Sequence, residues 1–449
     1  MPPAKKSEAA SIVSDLEAKG VRFIYLQFSD VLGVVKSVTI PLEEFPDCIE
    51  HGKWFDGSSV EGFVRVLESD MYLKPDLSTL VLLPWEQDGQ PAARVVCSVL
   101  TPEGELFAGD PRTTLIRATE AAAALDYRLY VAPELEFYFF VPKDGDGVPF
   151  SQDRGGYFDF STGLSASVRK EMVRVLREMS VKVETSHHEL GVGQHEIDFA
   201  RDEALSNADN LITARYTLKA LAQKHGLTVT YMPKPFEGME GSGMHIPLSL
   251  FNIKANRNAF ADPAGEYGLS ETARRFLAGV LHHAGGMSAV LNPLVNSYKR
   301  LVSGFEAPVY VTWARVNRSA LIRVPRVNPQ KMHTTRLEIR NPDASCNPYL
   351  AYAVILRCGL HGIREKLLLP PPVEENLFAF DMVELARRQI VRVPETLGEA
   401  LDEFEKDVVI KEALGEMLFN KFLEAKRREW RAFCRHVTPW EKEQYLGVW

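Results

Sequence analysis

Apolar residues in the first quarter of the chain recur at the spacings of one short helix and several β-strands. Residues 8–20 have helical spacing, and residues 21–40 form short runs typical of strands. Residues 80–85 and 93–99 are further apolar runs of strand length. The pattern predicts a small, β-rich N-terminal domain over residues 1–108.

From residue 110 onward, the apolar periodicity switches between helical and strand spacing. The predicted helices cover residues 113–125, 165–179 and 207–225, and the predicted strands cover residues 130–141, 182–188 and 228–233. Residues 383–430 are charged, helical in spacing and almost free of glycine. We therefore expect a large α/β domain over residues 109–449 that ends in a helical subdomain, residues 383–449.

Composition narrows the class of protein. The 449 residues are 45% hydrophobic and 25% charged, and a single hydrophobic core serves roughly 250–300 residues, so two domains or more are expected. A net charge of −8 argues against general binding to nucleic acid or to an anionic membrane. Five scattered cysteines without a CxxC pair favour a reducing cytoplasm. We find neither a signal peptide nor an apolar run suited to a membrane span.

Two pairs of glutamates are the first candidates for chemistry. Glu134 and Glu136 are two apart on a predicted strand, which would point both carboxylates to one face. A solvent-facing strand with polar alternation is the usual explanation for such a pair when it stands alone. Glu189 and Glu196 stand at the two ends of a glycine-punctuated turn that lacks the HExxH spacing of a zinc protease. The histidines of this segment fit ordinary turn or core positions equally well: His187, His188 and His195.

A glycine-rich segment over residues 231–246 is the next candidate. Gly238, Gly241 and Gly243 would let the backbone approach a ligand closely, and His245 follows as a possible metal or phosphate contact. The spacing matches neither a Rossmann GxGxxG nor a P-loop, so both assignments are excluded here. A plain glycine-rich turn is the alternative interpretation.

Basic residues gather in one part of this acidic chain. Residues 300–340 contain eight arginines and lysines against two acidic residues. Near the end of this region, Arg336, Glu338 and Arg340 would share one face of a strand. That face is either a surface ladder of ion pairs or a metal-binding carboxylate beside guanidiniums that bind phosphate. The local excess of positive charge favours an anion-binding wall.

Taken together, the candidates are five glutamates and one histidine, without a thiolate. Such hard ligands suit Mg²⁺ or Mn²⁺ rather than zinc, and their number is enough for two ions. Two metal ions beside several arginines are typical of phosphoryl transfer, because both neutralise charge on phosphate oxygens.

Six segments, in order along nearly the whole chain, resemble type I glutamine synthetase. They are Asp56-Gly-Ser-Ser59, Pro133-Glu-Leu-Glu136, His188-Glu189 through Glu196, Lys234-Pro through Gly241-Ser-Gly-Met-His245, Asn317-Arg-Ser319 and Arg336-Leu-Glu-Ile-Arg-Asn-Pro-Asp343. The resemblance implies a β-grasp N-terminal domain, then a large catalytic α/β domain with C-terminal helices. It also implies a dodecamer of two stacked hexameric rings, in which a neighbour's N-terminal domain completes each active site.

The same resemblance implies ATP-dependent ligation of ammonia to L-glutamate. Glutamate would attack the γ-phosphate of ATP to form γ-glutamyl phosphate, and ammonia would then displace phosphate to form glutamine. The residues implied to bind two Mg²⁺ or Mn²⁺ ions are Glu136, Glu189 and Glu196 for one, and Glu134, His245 and Glu338 for the other.

The match implies further roles, residue by residue. Asp56 and Ser59 would form the ammonium site, and Glu306 would lie on a flap that excludes water from the intermediate. Contacts with glutamate and the transferred phosphoryl group would come from Glu240, Gly241, Arg300, Arg318 and Arg340. Contacts with ATP would come from Glu184, Ser249, Arg323 and Arg336.

Four positions bear on substrate choice and regulation. The family usually has Asn where this chain has Glu240, and often a polar residue in place of Pro247. A γ-glutamyl-amine ligase that takes an organic amine is therefore the alternative function. Phe378 replaces the tyrosine of an adenylylated subgroup, so we expect no adenylylation. Arg65 matches an arginine of a glutamine-inhibited subgroup, although it also fits an ordinary surface position. A non-catalytic scaffold is a third alternative, disfavoured because no metal ligand is missing.

Overall fold

The computed structural model describes residues 3–60, 70–85, 90–141, 148–150, 152–303 and 307–449. Within these residues, the N-terminal part contains α1 (Pro3–Ala18), β1 (Phe23–Ser29), β2 (Val35–Pro41), α2 (Phe45–His51), β3 (Lys53–Asp56), β4 (Asp70–Pro75), β5 (Val81–Leu82) and β6 (Ala92–Leu100). Its strands form a mixed sheet in the order β2-β1-β6-β4-β3, with β5 on β6. Alternate strand residues such as Ile24, Leu26 and Val95 are buried in one core with Phe45 of α2.

The larger part combines strands with helices and becomes helical towards its end. Its strands are β7 (Tyr127–Val131), β8 (Glu134–Val141), β9 (Val148–Pro149), β10 (Val183–His188), β11 (Gln194–Phe199), β12 (Asp202–Glu203), β13 (Thr228–Thr230), β14 (Met244–Asn252), β15 (Arg257–Asn258), β16 (Tyr310–Ala314), β17 (Ala320–Arg323) and β18 (Leu337–Ile339). Its helices are α3 (Pro111–Ala123), α4 (Leu164–Glu178), α5 (Ala204–Lys224), α6 (Glu271–His282), α7 (Ala284–Leu291), α8 (Ser297–Arg300), α9 (Pro348–Arg364), α10 (Met382–Arg387), α11 (Leu397–Lys406), α12 (Val408–Leu414), α13 (Glu416–Cys434) and α14 (Pro439–Tyr445). None of the helices in the described residues is long and apolar enough to cross a membrane.

The central strands of the larger sheet follow the order β10-β11-β8-β14-β18-β17-β16. Neighbours along this path run antiparallel except for β16 and β17. Alternate residues of β8 and β14, such as Leu135, Phe137 and Ile246, are fully buried in the core beneath the helices. The other face of these strands is therefore available for polar side chains.

Three predicted strands differ from the observed ones, and the one expected over residues 228–233 ends at Thr230. The strand expected over residues 130–141 is split into β7 and β8, because Pro133 has no N–H to donate to a ladder. The strand expected over residues 80–85 is shortened to the two residues of β5.

Buried polar contacts join the two parts of the chain. Arg112, at the start of α3, donates to Asp76 of the N-terminal part at 2.6 Å and to Asp209 of α5 at 2.8 Å. Gly33 has a positive φ of 83°, and a Cβ there would lie 3.1 Å from Asn347 of the larger part. The close approach at this turn therefore favours glycine.

Candidate active site

A cavity of about 740 Å³ lies over the polar face of the central strands. All six residues predicted to bind metal line it: Glu134, Glu136, Glu189, Glu196, His245 and Glu338. Six of the predicted substrate and nucleotide contacts line it as well: Glu240, Gly241, Arg300, Arg318, Arg323 and Arg340. Segments that are far apart in the sequence thus meet at one surface.

Strand pairing explains why these side chains converge. Glu136 on β8 is the cross-strand partner of Glu196 on β11, and Glu134 is the partner of His245 on β14. Glu338 lies on β18, the next strand along. Cross-strand partners have Cβ atoms roughly 4.5–5.5 Å apart, so the ligand groups of each pair are within reach of one shared ion.

Glu134, His245 and Glu338 form the first group of candidate ligands. Their ligand atoms lie within 4.8 Å of one another, and His245 Nδ1 is 3.2 Å from a Glu134 oxygen. Burial, with help from the Glu338 carboxylate, raises the pKa of Glu134 to about 8. Burial also lowers the pKa of His245 to about 4, so its imidazole is neutral at pH 7 and offers a lone pair. For Glu338, burial is outweighed by His245, Arg323 and Arg340, and the pKa falls to about 2.

The second predicted group, Glu136, Glu189 and Glu196, lines the same cavity. The N–H of Gly243 donates to Glu136 at 2.8 Å, and Gln194 Nε2 lies 3.3 Å from the same oxygen. Burial, and to a smaller extent repulsion from Glu136, raises the pKa of Glu189 to about 7. The same two causes raise the pKa of Glu196. Carboxylates held together in this way are stabilised by a cation between them.

Two residues to which the sequence analysis assigned no role lie beside this second group. His187 lies 3.6 Å from carboxylate oxygens of both Glu189 and Glu196, and His187, Glu196 and Asp198 form a further set of ligand atoms within 4.8 Å. Asp198 is two residues beyond Glu196, so strand alternation could have indicated it. His187 is the cross-strand partner of Glu196, which follows only from the register of β10 on β11.

The Gly241-Ser-Gly243 segment makes room for Arg300. The Arg300 side chain is buried and donates to the carbonyl oxygens of Asn341 at 2.9 Å and Arg340 at 3.2 Å. A Cβ on Gly241 would lie 2.7 Å from the stem of Arg300, and a Cβ on Gly243 would lie 2.5 Å from its guanidinium. The two glycines therefore allow the backbone to hold this guanidinium at the cavity wall.

Three further arginines give the cavity a positively charged wall. Arg323 and Arg340 bind different oxygens of Glu338 at 2.5 and 2.6 Å. The side-chain oxygen of Asn317 accepts the backbone N–H of Ser319. Arg318 lies in the turn closed by this hydrogen bond and lines the cavity. Guanidiniums match the geometry of phosphate oxygens, so the wall is suited to a transferring phosphoryl group.

A second cavity of about 460 Å³ adjoins the first. Three of the four predicted ATP contacts line it, namely Glu184, Ser249 and Arg336. The fourth, Arg323, lines the first cavity. The residues common to both cavities are Glu134, Thr185 and Asp198, so one elongated ligand could extend through both.

Pro247 also lines the second cavity, whereas the other predicted positions lie away from the two cavities or outside the described residues. Asp56 ends β3, where its carboxylate accepts the N–H of Ser58 at 2.8 Å, and it lines neither cavity. Glu306, Arg65 and the side chain of Ser59 lie outside what the structure describes, so their roles stay predictions. The expectation of no adenylylation at Phe378 also stays a prediction.

A sheet face that brings six candidate metal ligands beside four arginines defines a metal-dependent phosphoryl-transfer enzyme. Residues 20–102 match the glutamine synthetase β-grasp domain, and residues 108–445 match the glutamine synthetase catalytic domain. The chain belongs to the glutamine synthetase family and has the family's β-grasp and catalytic domains.

Individual relatives are similar over almost their whole length. The chain is 47% identical to the glutamine synthetase of Thermotoga maritima, over 96% of this chain and 98% of that protein. It is 46% identical to the glutamine synthetase of Thermus thermophilus, over 98% and 99% of the two chains. Among solved structures, a GmaS/ADP complex has a TM-score of 0.87 and 31% identity, covering 97% of this chain and 99% of the other.

Proposed function

We propose that this protein ligates ammonia to L-glutamate with ATP as the phosphate donor, through γ-glutamyl phosphate. The observation that carries the proposal is the cavity in which six candidate metal ligands meet Arg300, Arg318 and Arg340. Similarity over nearly the full length to proteins named glutamine synthetase supports the same reaction.

The donor set of the cavity suits two hard divalent cations, Mg²⁺ or Mn²⁺. Its described lining offers carboxylate oxygens and imidazole nitrogens and contains no cysteine. The proposed ligands are Glu136, Glu189 and Glu196 for one ion and Glu134, His245 and Glu338 for the other. When bound, the ions would supply Lewis-acid stabilisation of the phosphate oxygens.

The arginines bind the negatively charged groups of the substrates. Arg300 binds a carboxylate of glutamate, because its guanidinium is held at the cavity wall by two backbone carbonyls. Arg318 and Arg340 stabilise the charge on the phosphoryl group as it moves from ATP to glutamate. ATP extends from the second cavity, beside Ser249, into the first, so its terminal phosphate reaches this wall.

Acidic residues bind the nitrogen-containing groups of the substrates. Glu240, with the backbone of Gly241, faces the ammonium group of glutamate. Asp56 and Ser59 reach the site from a neighbouring subunit, and Asp56 takes the proton that converts ammonium into the nucleophile ammonia. Glu306 closes over the intermediate and keeps water from hydrolysing it.

The decisive experiment supplies the purified protein with ATP, Mg²⁺, glutamate and one acceptor at a time. We expect glutamine and phosphate with ammonium, and little phosphate release with methylamine, ethanolamine or a polyamine. Turnover with an organic amine and none with ammonium would establish the γ-glutamyl-amine ligase instead. No turnover with any acceptor would favour a non-catalytic scaffold.

Mixing two inactive variants tests the shared active site of the proposed dodecamer. Asp56→Asn lacks the proton acceptor, and Glu338→Ala lacks a metal ligand, so each alone should be inactive. After unfolding and refolding together in equal amounts, one site in about four would combine an intact Glu338 with an intact Asp56 from its neighbour. We therefore expect about a quarter of wild-type activity; no recovery would place Asp56 outside the neighbour's site.

The thiols accord with the cytoplasmic location that we also propose. All five cysteines are free, and four of them are buried. Thiols persist unpaired where the compartment is reducing.

A further inference from the structure

A second acid–histidine cluster lies behind the carboxylate face, among residues that the proposed reaction does not use. Asp153, His188, His195 and Arg169 are all less than a tenth exposed, and none of them lines either cavity. Each of the two histidines immediately precedes a predicted metal ligand in the sequence. Neighbouring strand residues point to opposite faces, which places these imidazoles on the far side of the carboxylates.

Fixed donors and acceptors at the two ends decide where the protons of this cluster lie. Arg169 can only donate, so His195 Nδ1, 2.5 Å from it, must accept. His195 therefore carries its proton on Nε2 and donates to Asp153 at 2.7 Å. At the other end a carbonyl can only accept, so His188 Nδ1 donates to the carbonyl of Glu189 at 2.6 Å. His188 Nε2 lies 3.2 Å from the second Asp153 oxygen.

Asp153 is the point at which these contacts meet. Its two carboxylate oxygens face the histidines of β10 and β11, and its backbone carbonyl accepts the N–H of Gly193 in the turn between those strands at 3.1 Å. The three side chains are also close enough to share a cation. The guanidinium of Arg169 already brings a positive charge to His195, so support of the strands explains the cluster better than metal binding.

We propose that Asp153 is a positioning residue that, through His188 and His195, holds Glu189 and Glu196 at the separation a divalent cation requires. The inference rests on the proposed function, in which those two glutamates bind one ion. Asparagine in place of Asp153 keeps only one oxygen, so it can accept the N–H of His195 or present an oxygen to His188 Nε2, but not both, and the contact that joins the two strands is weakened. Partners behind metal ligands typically change metal affinity 10–100-fold.

Direct Mn²⁺ binding is the test, measured from the EPR signal of free Mn²⁺ without ATP or glutamate. We expect Asp153→Asn to weaken binding by about ten- to a hundredfold. Asp159→Asn is the matched control, because it removes an exposed carboxylate from the same loop, and it should bind Mn²⁺ as the wild type does.

Asp153→Asn removes a negative charge as well as a hydrogen-bond acceptor. Two variants of the neutral His195 therefore separate the effect of lost positioning from the effect of lost charge. His195→Ala deletes the link and should weaken Mn²⁺ binding, whereas His195→Gln keeps an N–H for Asp153 and should restore most of it. The same pair decides the matter if Asp153→Asn does not fold. Wild-type affinity in folded Asp153→Asn and His195→Ala would overturn the inference and leave the proposed function standing. A wild type without Mn²⁺ binding would overturn both.

Discussion

Two acid–histidine clusters lie on opposite sides of the same sheet, and their surroundings give them opposite chemistry. Behind the sheet, burial would raise the pKa of Asp153, but hydrogen bonds from His188 and His195 hold it well below its usual range. At the cavity, burial and a neighbouring carboxylate raise the pKa of Glu134 to about 8. An acid with donors around it stabilises the fold, whereas an acid beside other acids gains most from a bound cation.

Removal of a cavity-facing acid should have the largest effect. In Glu338→Ala we expect phosphoryl transfer to fall at least about a thousandfold, because a lost metal contact costs roughly 4 kcal/mol of transition-state stabilisation. The measurement is glutamate-dependent ADP formation, with circular dichroism to verify folding. Glu412→Ala, at an exposed position of α12, is the control and should remain active. Near-normal activity in Glu338→Ala would contradict the two-metal assignment.

The next effect tests the backbone that shapes the cavity. Gly243→Ala would place a Cβ 2.5 Å from the Arg300 guanidinium, so Arg300 must move. We expect the KM for glutamate to rise about ten- to a hundredfold, the equivalent of one charge-assisted hydrogen bond. Gly163→Ala, at an exposed site where a Cβ meets only ordinary contacts, should leave the KM unchanged. An unchanged KM in Gly243→Ala would remove Arg300 from the substrate site.

The raised pKa values predict how metal binding depends on pH. Glu134 and Glu189, with pKa values of about 8 and about 7, retain protons at pH 6 that a cation must displace. Mn²⁺ affinity should therefore rise between pH 6 and pH 8.5, by about tenfold per pH unit for each proton displaced. Calorimetric titration at several pH values measures this, and Glu134→Gln should make the slope shallower. A flat profile would contradict the clustering of acids.

The stability of the metal-free protein should change with pH in the opposite direction to the metal affinity. A carboxyl group with a raised folded-state pKa favours the folded state below its unfolded pKa, near 4.5, and that contribution is lost as the pH rises through 7 to 8. In EDTA, the Tm should therefore fall from pH 6 to pH 9. Saturating Mg²⁺ should remove most of the fall, and a fall of equal size with Mg²⁺ would count against metal binding at these acids.

The smallest effect concerns substrate choice at Glu240. This partly buried carboxylate lines the cavity near Arg300, and we expect Glu240→Asn to raise the KM for glutamate by about two- to fivefold, the scale of a partly exposed ion pair. Glu237→Asn, at a nearby exposed position, is the control. A lower KM in Glu240→Asn would mean that the carboxylate repels glutamate instead.

Local patterns were sufficient for much of the fold and the candidate site. The spacing of Glu134 and Glu136 predicted a shared face, and both side chains line the cavity. The main error along β7 and β8 arose where apolar periodicity continued through Pro133, which interrupts the strand. Periodicity reports which side chains share a face, but it does not report where the backbone hydrogen bonds stop.

The sequence by itself determined which residue types are present, their spacing and the family to which the chain belongs, because each of these depends only on the order of residues along the chain. Only the tertiary structure decided that His187 stands between Glu189 and Glu196, since that depends on the register of two strands. It also decided that Asp153, some forty residues before His195, supports the strands from behind. Register and packing come from long-range pairing, which no local period specifies.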